Sequence, residues 1–384
     1  MNSTFNFLSE KLRLVRLSHF RINILTEVNR MIKGRFSLAL RFTGVWIILS
    51  SRAVASDVWH VEGDPKVIAQ DIQFANGDVH LAGTVYFPKA GGDHLPAVVA
   101  LHGASDSTRT AALYQHLREG LPAMGIAVLI YDRRGSGDSS GTLKGVDYET
   151  LADDAIAGQN ALSKLPRIDP KKIGFWGLSQ GGWLAVLAAG RSKNASFAIS
   201  VSAPLVTPGQ QMEFATANLL TVRGYSEEHV KQMLETRKAW TGYITGANSR
   251  DAAVDALRKA ETQPWFKLAF MPRASELTTD PTHSSWRKEV NYDPVTAVRQ
   301  VKIPLLFIYG GSDPWIPVAQ SMQQLRFLMN QQHNIRYAVV PNANHEMMFV
   351  EKDTMTFGEG TMNAPQAPEY FMLMAAWLCQ QIKK

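Results

Sequence analysis

The sequence predicts a doubly wound, mostly parallel α/β sheet with a helical segment inserted before its last strands. Three observations carry that prediction. Short continuous apolar runs recur at Ala97–Leu101, Ile126–Tyr131, Ile173–Trp176, Phe197–Val201 and Leu305–Tyr309, a pattern that suits strands buried on both faces. Helix-like stretches alternate with them at Thr110–Met124, Tyr148–Leu165 and Gly182–Ala189, and such alternation implies right-handed crossovers. The rhythm then stops between Pro204 and Pro304, where no convincing strand run occurs and long or aromatic side chains are frequent. Composition agrees: 384 residues, 45% hydrophobic and 19% charged, with 28 Gly and 18 Pro, are ordinary for a globular chain and exclude disordered or collagen-like classes. The single Cys379 excludes an internal disulfide framework but is neutral on export, since large domains need no such staples.

Residues 1–55 form a leader, and the rest divides into 56–203, 204–303 and 304–384: a first core part, the helical insertion and a second core part. The formal charge of +6 raises the question of nucleic acid, but nine of the basic residues fall within 1–55, leaving 31 basic and 32 acidic residues in 56–384. A body of net charge −1 is not a nucleic-acid binder. From Met31 the leader offers Lys33, Arg35 and Arg41, an apolar run over 42–49, and Ala53 and Ala55 at an A-x-A spacing. That is the layout of a secretory signal cleaved near Ala55, so the chain is expected to be periplasmic or secreted, starting at Met1 or at Met31. An uncleaved amphipathic anchor is the alternative. The apolar run is shorter than the roughly 20 residues of a membrane span, so the mature chain is expected to have none.

The body opens with Val67–Phe74 and Val79–Phe87, which alternate around Asn76-Gly77, a strong hairpin signal. Strand Ala97–Leu101 leads into His102-Gly103-Ala104-Ser105, and strand Ile126–Tyr131 into Asp132-Arg133-Arg134-Gly135-Ser136. The strand at Ile173 then runs into Gly177-Leu178-Ser179-Gln180-Gly181 and directly into a helix. A turn so tight strains the serine backbone and is tolerable only where the flanking positions lack side chains. Gly137-Asp138-Ser139-Ser140-Gly141 fits the same G-x-S-x-G string, but it lies in a polar loop with no helix at once behind it. The context marks Ser179 as nucleophile and Ser139 as a loop residue.

A serine hydroxyl needs a base. His345 follows the last strand-like run, Tyr337–Val340, within the turn-rich Pro341-Asn342-Ala343-Asn344; His102 is its chief rival. The imidazole needs a carboxylate to set its tautomer, and Asp313 ends the run from Leu305 through Gly310-Gly311-Ser312. Glu346 adjoins His345, where side chains diverge, and Asp293 lies too far before its strand. An oxyanion forming on attack would be met by the Gln180 amide and by an amide of the His102 loop, best Ala104, each worth roughly 3 kcal/mol of barrier. Arg133 and Arg134 are open between a solvated face and a pair anchoring a carboxylate. Trp176 and Trp183 are read as core, and the aromatics of 204–303 as candidate pocket walls. Metal-ligand and phosphate-loop spacings are missing, so no metal and no cofactor is expected. The residues that bind substrate are not legible.

On these residues the chain resembles the α/β-hydrolase superfamily, within it the serine-aminopeptidase-like and acylaminoacyl-peptidase-like esterases and the dienelactone-hydrolase relatives. The resemblance covers about residues 67–384. It rests on the HGAS loop, YDRRGSGDSSG, the GLSQGG elbow, GGSD and the ANH end. It implies an eight-stranded sheet, a lid after the sixth strand, a triad of Ser179, Asp313 and His345, and Ala104 and Gln180 as oxyanion donors. The loop from Asp132 would be structural. The expected function is a serine hydrolase that cleaves carboxylic esters of small molecules through an acyl-enzyme. The alternatives are an exported peptidase acting on short or blocked peptides, for which Glu213, Glu227 and Glu228 are candidate amine partners, and a non-catalytic binding protein on the same fold.

Overall fold

The computed structural model describes residues 67–104, 108–350 and 364–383. The leader and its cleavage point lie outside the described residues. Eight strands form one sheet: β1 (Val67–Asn76), β2 (Val79–Pro88), β3 (Leu95–Leu101), β4 (Ala127–Tyr131), β5 (Ile168–Leu178), β6 (Ala198–Val201), β7 (Leu305–Gly310) and β8 (Ile335–Val340), in the order β1-β2-β4-β3-β5-β6-β7-β8. The β1–β2 hairpin pairs antiparallel, with Asn76 opposite Val79 across Gly77 at φ +58°, a backbone conformation that suits glycine. β2 meets β4 antiparallel, and every later pairing is parallel. β4, β6 and β7 are buried along their whole length, which is why they read as unbroken apolar runs.

Helices α1 (Gln115–Ala123), α2 (Tyr148–Leu162) and α3 (Gln180–Arg191) connect the first strands. Two cores result, one on each face of the sheet: Val99, Phe175, Ala185 and Phe307 on one, Val98, Trp176, Ile199 and Met374 on the other. The strands alternate their side chains between these two layers, as a pleat requires. Between β6 and β7 come α4 (Pro208–Val222), α5 (Glu227–Thr245), α6 (Arg250–Glu261), α7 (Ser285–Glu289) and α8 (Pro294–Gln300), with three short 3₁₀ turns and no strand. α9 (Val318–Met329) follows β7, and α10 (Pro368–Ile382) follows β8.

The inserted helices have a third core of their own, around Met233, Trp240, Leu257, Trp265 and Trp286. Trp240 and Trp286 stack with centroids 6.0 Å apart. The aromatics of this segment therefore mostly bury against one another rather than lining a pocket. A segment of this size needs apolar contacts of its own to hold its helices together. Trp176 and Trp183 are core residues whose indole N–H groups donate to the Tyr370 hydroxyl (3.1 Å) and the Pro204 carbonyl (2.7 Å). Among the described residues no helix is long and apolar enough to cross a membrane.

Candidate active site

β5 ends at Leu178, and α3 begins two residues later, so Ser179 alone makes the turn. Its backbone sits at φ 55°, ψ −122°, a conformation that costs a non-glycine residue about 1–3 kcal/mol. Both flanking glycines are required sterically. A Cβ on Gly177 would collide with the Gly181 carbonyl, and one on Gly181 with the carbonyls of Leu101 and His102. The Ser179 amide donates to the Val201 carbonyl at 2.8 Å, which pins the turn to β6. The hydroxyl makes no capping bond to its own helix. Gln180 is the first residue of α3, where N–H groups have no acceptor within the helix and the positive end of its dipole lies.

Across the neighbouring strand ends, Asp313 follows β7 and His345 follows β8. The His345 Nδ1 and Asp313 Oδ2 are 2.8 Å apart, and the other Asp313 oxygen accepts the Trp315 amide at 2.8 Å. Accepting with Oδ2, the carboxylate holds the proton on Nδ1, which leaves Nε2 as the basic nitrogen. Two backbone bonds lash the loops together, Gly311 N–H to the Val340 carbonyl (2.8 Å) and Ser312 N–H to the Ala343 carbonyl (2.9 Å). The Asn344 side chain accepts the amides of Glu346 (3.1 Å) and Met348 (2.8 Å) and so shapes the turn that carries the imidazole. Burial of His345 works to lower its pKa, but the Asp313 charge and hydrogen bond, with a smaller contribution from Glu346, outweigh it and raise the pKa above the usual 6.5. The structure thus joins Asp313 to His345 directly. Ser179 shares their sheet edge, with no hydrogen bond from its hydroxyl to the imidazole among the described residues.

His102 behaves otherwise. It is 2% exposed, its Nε2 donates to the Tyr131 carbonyl at 2.6 Å, and burial pushes its pKa down to about 3. Its remaining basic nitrogen, Nδ1, is buried without a hydrogen-bond partner among the described residues, so no serine hydroxyl delivers a proton to it. Its loop brings Gly103 against the elbow, where an added Cβ would lie 3.7 Å from the Ser179 Cβ, and the next residue, Ala104, is exposed. Asp293 is the N-cap of α8, accepting the Val295 amide.

The second G-x-S-x-G string has a structural task. Ser139 is buried; its hydroxyl donates to the Asp132 carbonyl (2.7 Å) and accepts the Ala82 amide (2.9 Å). The Asp132 carboxylate accepts the amides of Arg109 (2.7 Å) and Asp138 (2.9 Å) and pairs with the Arg109 guanidinium. Of the two open arginines, Arg134 anchors a carboxylate: Nε and Nη2 donate to Asp154 at 2.7 and 2.5 Å. Arg133 does not. It donates from Nη1 to the Gly103 carbonyl (3.0 Å) and from Nη2 to the Gln180 side chain (2.8 Å). Neither a solvated face nor a paired carboxylate describes it. Sequence reasoning missed this bridge, because nothing local in the chain relates residue 133 to residues 103 and 180.

The inserted helices meet the site's rim. Gln211 and Asn218 of α4 donate to the carbonyls of Trp315 and Pro314, both at 2.9 Å, beside Asp313. Glu213, Glu227 and Glu228 are exposed, the last two in the first turn of α5, where carboxylates complement the helix dipole. Among the described residues no group of His, Cys, Asp and Glu could hold a metal ion.

Residues 92–353 match the model of a family described as serine aminopeptidase, S33. A polyketide transferase of Penicillium crustosum is 25% identical over 203 residues, 49% of this chain and 62% of that protein, so the chain spans less than two thirds of that relative's length. A thiohydrolase of Aspergillus aculeatus is 26% identical over 269 residues, 66% of this chain and 79% of that protein. In fold, an esterase from Pyrococcus furiosus superposes with a TM-score of 0.51 at 19% identity, covering 82% of this chain and 91% of the other.

Proposed function

We propose that this chain, which belongs to the serine aminopeptidase S33 family of α/β hydrolases, cleaves carboxylic esters of small molecules through an acyl-enzyme. The observation that carries the reading is the strained Ser179 on its elbow, at the same end of the sheet as a His345 held by Asp313. In this reading the Ser179 oxygen attacks the ester carbonyl as His345 Nε2 takes its proton. Asp313 stabilises the imidazolium, and the amides of Ala104 and Gln180 bind the oxyanion. Collapse breaks the bond to the alcohol, which leaves with the proton from His345. Water then attacks the acyl-enzyme, giving its proton to His345, and the acid departs as the proton returns to Ser179. The helices of 204–303 act as a lid over the rim, and the chain works outside the cytoplasm after cleavage of its leader near Ala55.

The family description favours a peptidase as the second reading, and the thiohydrolase extends the field to thioesters. An aminopeptidase needs a carboxylate near Ser179 for the substrate amine, whereas Glu213, Glu227 and Glu228 are exposed on their helices. That supports the ester over the amino-terminal peptide.

The test compares purified protein on p-nitrophenyl esters of graded acyl length, on the matching thioesters and on aminoacyl anilides, with fluorophosphonate labelling of Ser179. We expect label on Ser179 and the highest kcat/KM on an ester. Faster anilide cleavage would install the peptidase reading, and an unlabelled, inactive protein would leave a binding role.

A further inference from the structure

We infer that Arg133 is a positioning residue for the oxyanion site, aiming the Ala104 amide and setting its distance from the start of α3, where the Gln180 amide lies. This rests on the reading of Ser179 as nucleophile and of the Ala104 and Gln180 amides as donors. The Gly103 carbonyl and the Ala104 N–H belong to one peptide unit, and a peptide unit is planar with these two groups pointing in opposite directions. Arg133 Nη1 holds that carbonyl at 3.0 Å. Whatever fixes the carbonyl therefore aims the Ala104 N–H.

The other nitrogen of the same fork, Nη2, donates to Gln180 Oε1 at 2.8 Å, and Gln180 Nε2 reaches the Tyr148 hydroxyl at 3.4 Å. Gln180 is the residue whose own amide is the second donor. A guanidinium is a rigid planar fork, so one group spans the loop after β3 and the start of α3 and sets the gap between them. A cationic donor also makes a stronger bond than a neutral one and polarises the peptide it binds, which strengthens that peptide's N–H as a donor.

The placement is costly, which argues for a specific task. Arg133 is 7% exposed and has no carboxylate within ion-pair distance among the described residues. Burial lowers its pKa; Glu289 of α7 is the acidic side chain whose charge opposes that. Burial drives Glu289 up to about 7, while Arg133 and a hydrogen bond from Tyr148 pull it down. A loop staple could be apolar, or could use a paired carboxylate as Arg134 does with Asp154.

The experiment uses the full chain and its variants Arg133→Met, Arg133→Lys and Gln180→Met, with Ser179→Ala in parallel. Each is assayed on p-nitrophenyl butyrate and titrated with an alkylboronic acid, which forms a tetrahedral adduct on a serine oxygen. Arg133→Met should lower kcat by roughly 10²-fold, the scale of a lost oxyanion donor, with KM within about threefold. Boronate affinity should fall in proportion to kcat/KM, and the acid limb of the pH profile should stay in place. Arg133→Lys keeps a cation but not the fork, and should fall between. A folded Arg133→Met with wild-type kcat overturns the inference. So does a loss of activity with unchanged boronate affinity, the signature of a structural role. Should the Arg133 variants not fold, Gln180→Met decides: it keeps the amide and removes one arm of the fork, and a wild-type kcat and boronate affinity overturn the inference. Activity in Ser179→Ala sinks the underlying reading by itself, independently of Arg133.

Discussion

Two stretches of this chain spell G-x-S-x-G, and they fold into opposite arrangements. Around Ser179 the backbone is forced to φ 55°, the flanking glycines are pressed against carbonyl oxygens, and the hydroxyl makes no capping bond. Around Ser139 the serine's φ is not positive, and its hydroxyl is spent on two backbone groups, the Ala82 amide and the Asp132 carbonyl. The difference lies in the element behind each string. A helix begins immediately after Ser179, so the chain must reverse within one residue. After Ser139 the loop continues to Asp147 before α2 begins at Tyr148, and it can turn gradually. Strain and a free hydroxyl go with the first; hydrogen bonding and burial go with the second. A short sequence pattern thus takes its meaning from the elements on either side.

Exchanging the two hydroxyls for hydrogen separates them most sharply. Ser179→Ala should reduce kcat for ester hydrolysis by roughly 10⁶-fold with an unchanged melting curve. Ser139→Ala should leave kcat per folded molecule unchanged. Comparable losses from both would erase the distinction.

The next largest effect concerns His345, the base proposed for the first serine. Asp313→Asn removes the charge that holds His345 in its working tautomer, and kcat should fall about 10⁴-fold. The pH profile checks the same link. Only neutral His345 accepts a proton, so activity is present above its pKa and lost as pH falls through it. Since burial lowers that pKa and Asp313 more than restores it, the acid limb of kcat/KM in the intact protein should centre above 6.5. In Asp313→Asn the residual activity should show the limb displaced to lower pH. A limb centred below 6.5 in the intact protein would contradict the assignment.

The smallest effect is on stability and belongs to the other string. Ser139→Ala strips the buried Ala82 amide of its acceptor, which should cost about 1–3 kcal/mol in denaturant unfolding. A cost near zero would mean that the loop readily finds another partner.

Much of the fold was legible because burial leaves a local trace. The hairpin showed in alternation around Asn76-Gly77, and the strands buried on both faces showed as apolar runs. Boundaries were less legible: β5 starts at Ile168, five residues before its apolar run, because Pro170 and Lys171 form an exposed part of the strand. The inserted aromatics misled for the same reason that runs are informative. A Trp facing a helix core and a Trp facing a pocket have the same local surroundings, and only the packing of Trp240 on Trp286 distinguishes them.

By itself the sequence determined the sheet, its helical interruption and the places where reactive side chains meet strand ends. These come from periodicity, glycine placement and neighbours along the chain, all of which are short-range. The tertiary structure decided which partners those side chains keep. It joined His345 to Asp313, 32 positions away, spent His102 on the Tyr131 carbonyl, and set Arg133 between Gly103 and Gln180. Hydrogen bonds depend on angstroms in space, and residues far apart in the chain carry no local mark of the distance at which folding will leave them.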